Sequence, residues 1–109
     1  MNKVYIVQEN HRFSYDDAEQ YGELCFMTRL EFSSNANSLN NQTIQEQIYT
    51  NAQQFKVDDY LLLTGNPVSM AFAFHLVAMK LASGGHKSIR VLKWDNMVGK
   101  YVSIEINIA

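Results

Sequence analysis

Apolar and polar positions follow one another along this chain in a way that predicts five short strands and two helices. Lys3-Val4-Tyr5-Ile6-Val7 is a near-continuous β-branched and aromatic run, which suits a strand covered on both faces. In the next segment Ser14 can cap a short helical turn, Asp16 and Asp17 fall in its first residues, and Gly22 can close it. Residues 24–32 predict a second strand, alternating from Thr28 with Leu30 and Phe32 on one face and Arg29 and Glu31 on the other. Residues 33–41 are rich in Ser and Asn, whose side chains bond to their own backbone, so they predict a loop.

A first helix is expected over 42–54, where Ile44, Ile48, Ala52 and Phe55 make one narrow apolar stripe. Thr43-Ile44-Gln45-Glu46 matches a capping box, with Asn41 as an alternative cap one turn earlier. The opposite face of this helix is rich in Gln and Asn and almost uncharged. Residues 58–65 predict a central strand, because Leu61, Leu62 and Leu63 leave it no polar side. Asn66 can cap a second helix that opens at Pro67, runs to about Ala82 and stops at Gly84-Gly85. Residues 88–94 and 100–108 are two strands joined as a hairpin by Asp95-Asn96-Met97-Val98-Gly99. In the last strand Val102, Ile104, Ile106 and Ile108 point one way and Ser103, Glu105 and Asn107 the other, which places it near a sheet edge. This order predicts one α/β domain over residues 1–109, with a mixed, mostly parallel sheet, two main helices and a C-terminal β-hairpin.

Composition narrows the classes of function. With 109 residues, 47% of them hydrophobic and 18% charged, the chain can bury a core of its own. A single cysteine, Cys25, excludes an internal disulfide and any multi-cysteine metal site, and no cofactor motif is present. The net charge of −2 suits neither a basic nucleic-acid clamp nor an acidic mimic of nucleic acid. No apolar run approaches the ~20 residues that span a bilayer, and the N-terminus lacks a signal peptide's layout. A cytoplasmic location with no membrane partner is the expectation.

Val4-Tyr5-Ile6-Val7-Gln8, Asp59-Tyr60-Leu61-Leu62-Leu63-Thr64-Gly65-Asn66-Pro67, Val91-Leu92-Lys93-Trp94-Asp95 and Tyr101-Val102-Ser103-Ile104 resemble the strand cores of a group of small α/β proteins encoded by bacteriophages. The resemblance covers most of the chain. It implies a phage-encoded protein at work in the host cell's cytoplasm, and it brings no activity and no catalytic residues with it.

Three sets of residues are candidate sites. Backbone amides at the strand–helix junction formed by Thr64, Gly65, Asn66, Val68 and Ser69 could hold a nucleotide or another anion. The junction has one glycine followed by a proline without an amide donor, however, and lacks the lysine of a phosphate loop. The second helix is apolar around nearly its whole circumference, more than a two-helix domain can wrap, which predicts self-association through Phe72, Phe74, His75 and Met79. The Phe13–Tyr21 segment is the alternative cover for this surface, and beyond a second copy a host or phage protein is the other partner expected. The terminal hairpin gathers Arg90, Lys93 and Lys100 beside Trp94 and Tyr101, which cations and stacking rings could turn towards single-stranded nucleic acid. No nucleophile, base and orienter occur together, so a binding protein is expected in preference to an enzyme. His75 reads as a hydrogen-bonded core or interface residue, Cys25 as a small buried hydrophobe, and the acidic cluster Asp16, Asp17, Glu19 and Glu23 as a solvated helix start.

Overall fold

All five strands join one sheet in the computed structural model of the protein, which describes residues 2–31, 35 and 38–109. The elements are Lys3–Gln8 (β1), a 3-10 turn at Asp16–Tyr21, Glu23–Thr28 (β2), Leu39–Gln54 (α1), Tyr60–Leu62 (β3), Pro67–Ser83 (α2), Ser88–Asp95 (β4) and Lys100–Asn107 (β5). The strand order is β2-β1-β3-β4-β5. The first four strands run parallel, and β5 closes one edge antiparallel to β4. β3, the apolar run with no polar side, occupies the middle of the sheet.

The two faces of the sheet are covered unequally. Tyr5, Val7, Leu61, Ile89 and Val91 pack with Ile44, Ile48, Ala52 and Phe55 of the α1 segment and with Ala73, Val77 and Leu81 of α2. On the other face Val4, Ile6, Leu62 and Leu92 pack with Tyr15, Ala18, Tyr21 and Tyr101, and with Leu24, Phe26 and Tyr60 of the sheet itself, so one 3-10 turn and its flanks do the work of a helix layer.

Several boundaries differ from expectation. β2 ends at Thr28 and not at residue 32; Phe32, expected to share a face with Leu30, and loop residues 33, 34, 36 and 37 lie outside the described residues. Leu39, Asn40 and Asn41 open α1 because Ser38 is the cap, its hydroxyl accepting from the Asn40 N–H at 3.2 Å; Thr43 instead donates back to the Leu39 carbonyl. β3 is three residues long, shorter than the predicted strand. The Gln- and Asn-rich face of α1 has a purpose at the sheet edge. Gln47 accepts from the Thr28 hydroxyl at 2.7 Å, and Asn51 donates to the Met27 carbonyl at 3.1 Å, which covers part of the outer side of β2.

α2 is not wrapped on every side within the chain. Ser69, Ala73, Val77 and Leu81 are buried, while Val68, Ala71, His75, Met79 and Ala82 stand exposed along the outer side. Val68 and Met79 are the large apolar side chains of that stripe, 62% and 54% exposed, and Ala71 and Ala82 extend it without adding bulk. At its end Gly85, at φ +83°, lets His86 N–H return to the Leu81 carbonyl at 2.9 Å, the glycine-dependent stop expected there. Among the described residues no helix is long and apolar enough to cross a membrane.

Candidate binding groove

β3 pairs with β4 only as far as Leu92, yet β4 continues to Asp95 and its pairing with β5 extends to Lys100. The hairpin therefore overhangs the carboxyl end of the parallel strands, the place where open α/β sheets take their ligands. A groove of about 960 Å³ runs past this end of the sheet and takes residues from both faces, Leu63, Phe74 and Val91 from the α-helical side and Leu62, Leu92 and Tyr101 from the other. Leu62, Leu63, Val91, Leu92, Ile104 and Ile106 supply aliphatic walls, and Phe13, Phe74, Trp94 and Tyr101 supply rings. Ser14, Thr64 and Asn96 add polar atoms, and Arg12 and Lys93 are the only charges. No Asp, Glu, His or Cys lines it among the described residues. An apolar body with a few convergent polar groups is the ordinary make-up of a small-molecule site of this volume.

The aromatic wall is held firmly. Trp94 and Tyr101 are opposite each other across the hairpin, their rings edge to face with centroids 5.0 Å apart. Tyr101 is 6% exposed, and its backbone is tied to the 3-10 turn: its N–H donates to Asp17 Oδ2 at 2.7 Å and its carbonyl accepts from the Tyr21 hydroxyl at 2.9 Å. Burial, assisted by nearby Tyr15 and Asp17, pushes the Tyr101 phenol above its ordinary pKa, so it stays neutral at physiological pH. Trp94 is 41% exposed and presents the ring a ligand can reach.

Two amides of the neighbouring strand–helix junction are already taken from within. Gln8, at the end of β1, accepts from the Asn66 N–H at 2.7 Å and donates to the Leu30 carbonyl at 2.5 Å. Asn66 Oδ1 in turn accepts from the Val68 N–H at 2.8 Å, and Pro67 has none to offer. Gly65 sits at φ +101° against Gln8, so close that a Cβ would overlap the amide. Ser69 is wholly buried in α2, and its hydroxyl has no hydrogen-bond partner among the described residues. Of the five junction residues only Thr64 reaches the groove, and two amides expected to meet an anion are bonded to side chains.

The other candidates separate as well. Phe74 lines the groove and Phe72 is half-buried against the core, whereas His75 and Met79 face outwards. Arg90 lies at the far end of β4, its guanidinium 4.1 Å from the Tyr60 ring centroid and bonded to the Tyr60 hydroxyl and the Asp58 carbonyl. Lys93 and Trp94 belong to the groove with Tyr101, while Lys100 is exposed on the hairpin. Cys25 is half-buried, and burial raises its thiol pKa. Among the described residues no three His, Cys, Asp or Glu gather to hold a metal. Sequence reasoning missed Gln8, Arg12, Phe13, Ile104 and Ile106 as parts of this region. A cation and a bare aromatic directly after the first strand were the available signal, since that loop begins where chain connections diverge to opposite faces of the sheet.

A family model described as Phage Pam3 gp32-like protein matches residues 2–108 of the chain. No curated protein and no solved structure matches it.

Proposed function

The chain belongs to the phage Pam3 gp32-like family, and on that premise we propose that it is a phage accessory protein that works by binding and not by catalysis. Its ligand is a small molecule with a flat apolar or aromatic body and an anionic group, a nucleotide being the commonest chemistry of that kind. The observation that carries this is the groove's lining, four rings, six aliphatic residues and two cations with no carboxylate among the described residues to oppose an anion. Arg12 and Lys93 make no ion pair among the described residues, whereas Arg29 is spent on Glu9 at 2.6 Å. Cations left unpaired beside apolar walls favour an anion with a greasy body over inorganic phosphate. This keeps the anion-binding idea and moves it from the occupied amides of the strand–helix junction into the adjacent groove. Single-stranded nucleic acid fits less well, because it asks for several stacking rings and cations along one surface, and here Tyr101 is buried and Arg90 already committed. The setting is the cytoplasm of the infected bacterium.

Trp94 is the only tryptophan, so its emission reports on the groove without a label. Titration with nucleoside mono- and triphosphates and an arylsulfonate should give a saturable change, weakened about tenfold by Arg12→Ala or Lys93→Ala if each cation contributes about 1.4 kcal/mol. A flat response across the panel, or binding indifferent to both substitutions, would refute the proposal.

A further inference from the structure

The two edges of the sheet are protected very differently. Side chains of α1 reach over the outer side of β2, as described above. On β5, among the described residues, Tyr101 alone has its outward backbone groups covered, its N–H and carbonyl taken by Asp17 and Tyr21. Ile108 N–H bonds inwards to the Lys87 carbonyl, and an antiparallel ladder alternates, so Ser103, Glu105 and Asn107 turn both backbone groups outwards. Among the described residues no element lies beyond them. The α-helical side of the same strand is also left bare: Ile104 and Ile106 are each 39% exposed. The edge has no proline, no lysine between residues 101 and 108, and no bulge in its pairing, the usual devices against strand addition.

We propose that this edge is closed by a second copy of the chain, with β5 pairing antiparallel to its partner's β5 across a two-fold axis at Ile106. Three features select this occupant and this register. Exchange of both backbone bonds between Glu105 and the facing Asn107, twice by symmetry, makes four new main-chain hydrogen bonds. On the apolar side Ile104 faces Ile108, and Ile106 faces its own copy, so the bare row becomes a ladder of isoleucine pairs. Shifting the axis to Glu105 would oppose two carboxylates, and shifting it towards Ile104 would drive the partner strand into the covered Tyr101 end. The resulting ten-stranded sheet sets two grooves side by side, because Ile104 and Ile106 belong both to the groove wall and to the new ladder. The pairing requires no ligand, although it shares Ile104 and Ile106 with the groove wall.

Sedimentation equilibrium tests it. Between about 1 and about 500 µM the mass should rise from 12.5 kDa to twice that value, the range expected of a small two-strand interface. Glu105→Pro removes an outward N–H without touching the β4 ladder, and Ile106→Lys sets two cations together on the axis; each should keep the circular dichroism of the folded chain and hold it monomeric. In a Cys25→Ser background, Ile106→Cys should oxidise to a covalent dimer, since self-facing residues of a non-bonded pair lie within disulfide reach, and Ser103→Cys should not. A protein monomeric throughout that range overturns the proposal. So does a dimer that survives both Glu105→Pro and Ile106→Lys, which would place the contact elsewhere, on the outer stripe of α2 for example.

Discussion

Gln8 joins three segments at the carboxyl end of the sheet, and its removal is expected to be costly for a single polar side chain. It is 2% exposed, and its amide satisfies the Asn66 N–H and the Leu30 carbonyl at once. Gln8→Ala deletes both bonds and opens a space against Gly65. Two lost bonds with partly unsatisfied partners amount to about 2–4 kcal/mol, a large part of the stability of an ordinary small domain. For a urea slope near 2 kcal/mol/M, the unfolding midpoint should fall by about 1–2 M. Gln8→Met keeps much of the volume but neither bond, so it should recover the packing share and no more. The substitution also has a chemical consequence. Freed from Gln8, the Asn66 N–H points to open space at the start of α2, and phosphate at matched ionic strength should then stabilise Gln8→Ala more than the wild type. A loss below about 0.5 kcal/mol in Gln8→Ala, or equal phosphate responses in the two proteins, would show that Gln8 is not what keeps this junction closed.

Two further outcomes follow from the same geometry. Lys80 of α2 donates to the Phe55 carbonyl at 2.6 Å and to that of Gln53, capping the end of α1, whose last turn has no basic residue. Lys80→Met should therefore cost about 1–2 kcal/mol in urea unfolding, and no loss would mean the contact is dispensable. Burial, with Asp59 as the next contributor, pushes the Tyr5 phenol up to about 12 from its ordinary 10.0. Between those values the unfolded chain has lost this proton while the folded one keeps it, so stability present below pH 10 declines as pH rises towards 12. Tyr5→Phe should flatten that decline in denaturant titrations at alkaline pH, and an unchanged slope would contradict the assignment.

Much of the fold was legible because burial on both faces writes itself into the sequence as unbroken apolar runs. Leu61 to Leu63 marked the sheet's middle strand, and alternation from Val102 to Ile108 marked its edge. Asn66-Pro67 and Gly84-Gly85 fixed α2 at both ends because each supplies local chemistry that needs no tertiary partner. Boundaries set by tertiary contacts were harder to read. Ser38 outcompeted Thr43 and Asn41 as the cap of α1, and the glutamines of that helix made sense only once β2 lay beside them. The apolar circumference of α2 is present in the structure as an outer stripe, Val68, Ala71, Met79 and Ala82, that its own chain leaves exposed, and composition does not say what covers it. The groove was legible in parts: Trp94, Tyr101 and Lys93 were recognised as one cluster and Thr64 and Phe74 as members of others. What no periodicity could reveal is that β3 stops early and lets the hairpin run past the end of the parallel strands.

Amide chemical-shift mapping with a nucleotide or arylsulfonate that changes Trp94 emission tests the central claim most directly. Shifts should cluster at residues 12–14, 62–64, 91–96 and 101–106, diminishing together in Lys93→Ala. Shifts confined to residues 65–69, to the outer stripe of α2, or spread without a focus would contradict a ligand seated in the groove.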